Sequence, residues 1–336
     1  MIYPWQTNIW NHVTAMRGRL PHALLLHGRQ GIGKRDFALS WSQSLLCERL
    51  QDNGQACEVC ASCNWFLQHN HPDYRLLTPE QDAAADDEPA VASKTGKKSQ
   101  ISIAQVRALS DFLELTSHRD GGLRIAVIHP AEALNAASAN ALLKMLEEPP
   151  PSVVFILVSN QPQKLLPTIL SRCRKITMPV PEKPLALQWL EQKGMKDAND
   201  FLDYASGSPL IALANAEEQG SAWKEVIEML ARGNRLDPYN AARVLVAQGM
   251  ETAIAMLQKW IYDLIACHLT GAIRYHERQV AALQALSKSV DLGVVLDFQR
   301  KLDEARKSAT HPLNHELQLE SLLLQYTQIF SRPAAS

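Results

Sequence analysis

The segment HGRQGIGKR, residues 27–35, carries the parts of a phosphate-binding loop. Gly28, Gly33 and Lys34 follow the pattern G-x-x-x-x-G-K-[ST] up to its last position, which is Arg35. In such a loop backbone N–H groups wrap phosphates, the Lys reaches the β/γ oxygens, and the Ser/Thr hydroxyl binds Mg²⁺. Gly28, Gly31, Gly33 and Lys34 retain the wrap. Arg35 has no oxygen for a metal, and its permanent positive charge disfavours a cation beside it. A Gly-rich strand-to-helix turn also serves as a plain tight turn, so these residues alone leave both readings open.

Nucleotide hydrolysis needs a carboxylate at the end of a second strand, to hold Mg²⁺ and orient water. The apolar run RIAVI runs into His129, Pro130, Ala131 and Glu132. Neither His129 nor Pro130 can serve, and Glu132 falls later than the pattern requires. Two separate metal-holding positions are missing, which argues against hydrolysis more strongly than either loss alone.

Cys57, Cys60 and Cys63 form CxxCxxC, and Cys47 stands ten residues before the first of them. Four thiolates suit tetrahedral Zn²⁺, and a closed four-sulfur site is structural, with no position open for chemistry. The other reading, scattered reduced thiols, fits the regular spacing poorly. Cys173 and Cys267 are expected as buried apolar residues. Arg172, within Ser171-Arg172-Cys173, reads from its own chemistry as a surface charge; at a subunit edge an Arg can also reach a neighbour's phosphate. The acidic run Asp86-Asp87-Glu88 is the remaining candidate for metal chemistry, and it falls in a stretch that cannot preorganise a nuclease site.

Stepwise patterning supplies the elements that would position these residues. Residues 23–26 are an apolar strand ending at the Gly-rich turn, and residues 36–46 have helical spacing. Strands are expected at 75–77, 124–128 and 153–158. Ser102 and Gln105 form a capping box ahead of an amphipathic helix carrying Val106, Leu109, Phe112 and Leu113. An Ala/Leu-rich helix ends at Pro149. Alternating apolar strands and helices predict a parallel sheet flanked by helices on both faces. Residues 79–100 are small and charged without an aromatic, and are expected as a mobile surface insertion. After Pro181 the pattern turns helical, with an apolar stripe at Ile254, Leu257, Ile261, Leu264 and Ile265.

At 336 residues, two or three domains are expected. A net charge of −1 excludes the basic excess of a lone DNA-binding module. No apolar run approaches the roughly 20 residues that span a bilayer. The chain reads as cytoplasmic, with no membrane contact and cysteines that bind metal or stay reduced.

Three features together resemble the bacterial clamp-loader family of AAA+ proteins: NALLKMLEEPP at residues 140–150, the cysteine set, and Ser171-Arg172-Cys173, each at its spacing from the loop. The likeness is specific to about residue 215 and looser to the C-terminus, where His311-Pro312-Leu313-Asn314 precedes a Leu-rich helix. It implies an α/β AAA+ core over residues 1–180, with a zinc module at 47–63 and the insertion at 79–100. It implies a small helical lid domain at 181–220 and an all-α collar domain at 221–336. Arg172 would be an arginine finger acting in trans, and Cys47, Cys57, Cys60 and Cys63 would hold structural zinc. Ser159-Asn160 matches the sensor-1 position, and Gly207-Ser208-Pro209-Leu210 the sensor-2 segment, where motor subunits carry Arg in place of Leu210. The family's motor members keep the metal and sensor residues, and its non-motor members do not.

The resemblance therefore implies a non-hydrolysing subunit of the DNA polymerase III assembly with at most weak ATP binding at Gly28, Gly31, Gly33 and Lys34. Its partners would be the motor subunits (tau/gamma) and a delta subunit in a hetero-pentameric ring. Through the ring it would meet the sliding clamp and primed DNA during replication. The reading set against it is an active AAA+ ATPase, a tau/gamma-like motor with unusual metal ligands.

Overall fold

Two compact units make up the computed structural model, Met1–Leu185 and Ala186–Ser336. Residues 2–79, 100–115, 117–118, 122–309 and 314–330 are described. Most of the expected insertion, residues 80–99, lies outside them, together with Asp86, Asp87 and Glu88 and the segment 310–313.

The first unit is built on β1 (Ala23–His27), β2 (Tyr74–Leu77), β3 (Arg124–Ile128), β4 (Val153–Ser159) and β5 (Arg174–Thr177). They form one parallel sheet in the order β2-β3-β4-β1-β5. Its helices are α1 (Thr7–Ala15), α2 (Lys34–Leu46), α3 (Ala61–Leu67), α4 (Ile103–Glu114), α5 (Ala136–Glu147) and α6 (Pro167–Arg172). Side chains alternate across a strand, so a sheet covered on both faces needs apolar residues at every position. Leu24, Leu26, Val154, Ile156 and Val158 pack with Trp10, Val13, Phe37 and Trp41 of α1 and α2. Leu25, Phe155 and Leu157 pack on the other face with Val106, Leu109, Leu142, Leu146 and Ile169 of α4, α5 and α6.

Local signals set the helix ends. Ser102 Oγ accepts from the Gln105 N–H at 3.3 Å, and the Gln105 side chain accepts from the Ser102 N–H at 2.8 Å, closing the expected capping box. Helix α5 stops ahead of the prolines at 149–151. Strand β5 was not anticipated: its sequence RKIT shows only Ile176 buried, so it lacks an apolar signature. Its place beside β1 comes from backbone pairing of Leu24–His27 with Arg174–Thr177.

The chain crosses between the units within α7 (Lys183–Gln192) and continues as α8 (Ala198–Tyr204), α9 (Pro209–Leu230), α10 (Pro238–Val246), α11 (Met250–Thr270), α12 (Val280–Ser287), α13 (Leu292–Lys307) and α14 (His315–Gln328). Helix α9 kinks at Gly220, where φ is 43°. On α11, Ile254, Leu257, Ile261 and Leu264 are fully buried, while Ile265 is half-buried. Trp260 Nε1 donates to Tyr326 Oη at 2.8 Å, and Tyr326 donates to the Leu230 carbonyl at 2.7 Å, tying α11 and α14 to the end of α9. No helix among the described residues is long and apolar enough to cross a membrane.

Candidate nucleotide loop, cysteine centre and arginine edge

The loop leaves the C-terminal end of β1 and enters α2, beside the C-terminal end of β4. In open parallel sheets this end of the strands is where ligands bind. Gly28, Gly31 and Gly33 adopt φ of 154°, 76° and 82°. A Cβ on Gly28 would lie 2.3 Å from the Met178 carbonyl, and one on Gly33 would lie 2.4 Å from the Tyr3 ring. Both glycines are therefore required by close approach as well as by backbone conformation.

What closes on the loop is the chain itself. The Tyr3 hydroxyl donates to Asp36 at 2.6 Å, and Trp5 Nε1 donates to the Ile32 carbonyl at 3.0 Å. Gln6 Nε2 reaches the Ile32 and Gly33 carbonyls, each at 2.9 Å. This N-terminal strap has no signature in the sequence beyond an aromatic pair, and nothing in residues 1–6 marks its partner.

Lys34 is buried. Its ammonium donates to the Arg29 carbonyl at 2.5 Å and to Asn160 Oδ1 at 2.7 Å. Burial pulls its pKa down to about 8, against the opposing field of the Glu132 carboxylate. Glu132 also accepts from the Asn160 N–H at 3.0 Å, and its Oε2 is buried without a hydrogen-bond partner. Glu132, too late for the expected pattern, thus reaches the neighbourhood of Lys34 through Asn160. Arg35 turns to a separate hollow, which it lines with Asp36, Phe66, Tyr74 and Arg75.

Cys47, Cys57, Cys60 and Cys63 come together with all four sulfurs within 4.8 Å of one another. Cys47 and Cys60 sulfurs are 4.0 Å apart, and those of Cys57 and Cys63 are 3.9 Å apart. Four sulfurs at ~2.3 Å from a tetrahedral zinc would be about 3.8 Å from one another, so the set fits that ion. Backbone N–H groups of Val59 and Cys60 pull the Cys57 thiol down to about 6, while burial pushes those of Cys47 and Cys63 up. The module is seated on the core from several sides. Ser62 donates to the Leu46 carbonyl at 2.7 Å and meets buried His71 at 2.8 Å, and Trp10 Nε1 donates to the Asn53 carbonyl at 3.0 Å. Cys173 and Cys267 are buried elsewhere, as expected.

Arg172 ends α6. Its Nη1 donates to the Thr168 carbonyl at 2.9 Å, and its Nη2 stands 2.6 Å from Glu147 Oε1 at the end of α5. A third of its side chain remains exposed. Leu210, where the resemblance expects the sensor-2 segment, is half-buried in the first turn of α9.

A family model described as DNA polymerase III, delta subunit, matches residues 5–182. A second, described as DNA polymerase III, delta subunit, C terminal, matches residues 218–328. A Pseudomonas aeruginosa protein named DNA polymerase III subunit delta' is 33% identical, covering 98% of this chain and 98% of its own. A protein of the same name from Yersinia pestis is 30% identical, covering 98% and 96%. A solved structure of a Thermotoga maritima DNA polymerase III, gamma subunit-related protein aligns with 95% of this chain and 99% of its own, at 17% identity and a TM-score of 0.46. With a loop, a cysteine centre and an arginine edge set on one parallel sheet, and with relatives matching it from end to end, the chain belongs to the family of DNA polymerase III delta' subunits.

Proposed function

We propose that this chain is a non-hydrolysing subunit of a clamp loader, acting in the cytoplasm to place a sliding clamp on primed DNA. It would sit in a hetero-pentameric ring with tau/gamma motor subunits and a delta subunit. Arg172 would complete a neighbouring subunit's ATP site as a trans arginine finger. The core, lid and collar over residues 1–180, 181–220 and 221–336 would be its working parts.

One observation carries the non-hydrolysing part of the reading. Two of the three Lys34 ammonium donors are engaged by the Arg29 carbonyl and Asn160, beside Arg35, which has no oxygen for Mg²⁺. A phosphate would have to displace or compete with these internal contacts, and at most weak ATP binding at Gly28, Gly31, Gly33 and Lys34 is expected. Zinc held by Cys47, Cys57, Cys60 and Cys63 would cross-link the module and do no chemistry.

Arg172 has a planar guanidinium suited to phosphate oxygens, ends a short helix, and keeps exposed surface for a neighbour. A finger of this kind stabilises charge on the transferring phosphoryl group and is worth on the order of 10³ or more in kcat at its site. The test is ATP hydrolysis by the reconstituted loader. Arg172→Ala should silence the site it completes while the ring still assembles. Unchanged hydrolysis would sink the finger assignment.

A second reading, an active ATPase, is favoured by Glu132, whose Oε2 lacks a partner close to Lys34. It requires Mg²⁺-dependent turnover by the purified chain that both Lys34→Ala and Glu132→Gln abolish. Absence of turnover removes it.

A further inference from the structure

The contact between Glu147 and Arg172 is not explained by stability. Glu147 is the last residue of α5, where the helix dipole opposes a negative charge. The pair is substantially exposed, at 49% for Glu147 and 33% for Arg172. Exposed ion pairs of this kind add little to stability, because solvent screens them and ordering two long side chains offsets the attraction. An acid at an unfavourable helix end, in a pair of little stabilising value, calls for another account.

Geometry supplies one. The backbones at both ends are fixed by the core: Leu146 precedes Glu147, Ile169 lies one turn before Arg172, and both are buried in the same cluster. From these anchors the guanidinium is held on two sides, Nη2 on Glu147 and Nη1 on the Thr168 carbonyl, with Ser171 Oγ at 3.4 Å. A free Arg side chain samples many rotamers, and binding an anion must then order it. Here that ordering is done before any neighbour arrives. Arg has five N–H donors in a rigid fork, and these contacts leave some of them for an incoming anion.

We infer that Glu147 is a positioning residue, which holds the Arg172 guanidinium in the orientation that meets a neighbouring subunit's phosphate. The inference rests on the reading of Arg172 as a trans finger. Its effect belongs to kcat, because the contact being prepared is with charge that develops in the transition state.

The experiment compares Glu147→Ala, Glu147→Gln, Arg172→Ala and the Glu147→Ala/Arg172→Ala double variant in the fully assembled loader. Glu147→Ala should lower kcat about tenfold, with KM for ATP within about twofold. Glu147→Gln, which keeps an oxygen acceptor, should restore most of the rate. The melting temperature of the chain should not move. On the Arg172→Ala background, removing Glu147 should cost nothing more, because the group it positions is gone. Wild-type kcat in Glu147→Ala, with Arg172→Ala slowed, would overturn the positioning role and leave the finger standing. A rise in kcat in both Glu147 variants would make Glu147 a brake and also overturn the inference. If Arg172→Ala itself has no effect, the finger reading fails, and this inference fails with it.

Discussion

Lys34 Nζ lies 2.7 Å from Oδ1 of Asn160, a residue 126 positions further along the chain. The amide oxygen occupies one of the three donors of the lysine, and the Arg29 carbonyl another, so two of the donors that would meet phosphate are engaged within the protein. The first prediction concerns this pair. Lys34→Ala leaves two acceptors without their donor and should cost about 1–3 kcal/mol of stability. Mg-ATP at millimolar concentration should not raise the melting temperature of the unaltered chain, since a ligand stabilises only by binding the folded state. Calorimetric unfolding with and without Mg-ATP checks both, and a clear upward shift would revive the motor reading.

The cysteine centre predicts metal content. Carefully prepared protein should hold about one zinc per chain, because four sulfurs close the site. Cys60→Ser should lose that zinc and lower the melting temperature by several degrees, with increased hydrogen exchange confined to residues 47–63. Since Arg172 is held by contacts within α5 and α6, the variant should leave ATP hydrolysis by a reconstituted loader unchanged. Elemental analysis showing no metal in the unaltered chain would remove the tetrad.

Gly33 predicts the importance of the N-terminal strap. An added Cβ would meet the Tyr3 ring at 2.4 Å, at a φ of 82° that side-chain-bearing residues seldom adopt. Gly33→Ala should destabilise the chain by about 1–3 kcal/mol. Displacing Tyr3 should also free Trp5, which stacks on it at 4.9 Å. Greater quenching of tryptophan emission by acrylamide in Gly33→Ala, absent when Trp5→Phe is added, would register that release.

Lys259 predicts a pH dependence. Burial against the Tyr204 ring, 3.4 Å from the ammonium, lowers its pKa to about 8. The folded chain gives up this proton as pH rises through about 8, whereas the unfolded chain holds it to the ordinary lysine value. The unfolded state therefore binds more protons in that interval, and stability from this group rises with pH. Lys259→Met removes the term. Any advantage of the variant at pH 7 should shrink steadily toward pH 10 in urea unfolding, and parallel pH curves for the two proteins would contradict the assignment.

Much of the architecture could be read along the chain. Strands β1, β3 and β4 are runs of apolar residues because both faces of a parallel sheet are covered, and the Ser102/Gln105 box marks the start of α4 within a single turn. The regular spacing of Cys57, Cys60 and Cys63 brings three thiols together almost locally, with Cys47 closing the set across a short loop. Strand β5 escaped because an edge strand with one buried residue has no apolar period to detect.

The residues that decide the behaviour of the loop meet only in three dimensions. Amino-acid types alone established that Arg35 cannot hold a metal and that Gly28, Gly31 and Gly33 can turn the backbone, since those properties belong to single side chains and to local dihedral angles. Tertiary structure decided that Asn160 and Glu132 converge near Lys34, that Tyr3, Trp5 and Gln6 close over the turn, and that Glu147 grips Arg172. Each of those meetings depends on strand order and register and on where a crossover helix ends, which are set by the packing of the whole sheet and leave no trace in the spacing of the partners.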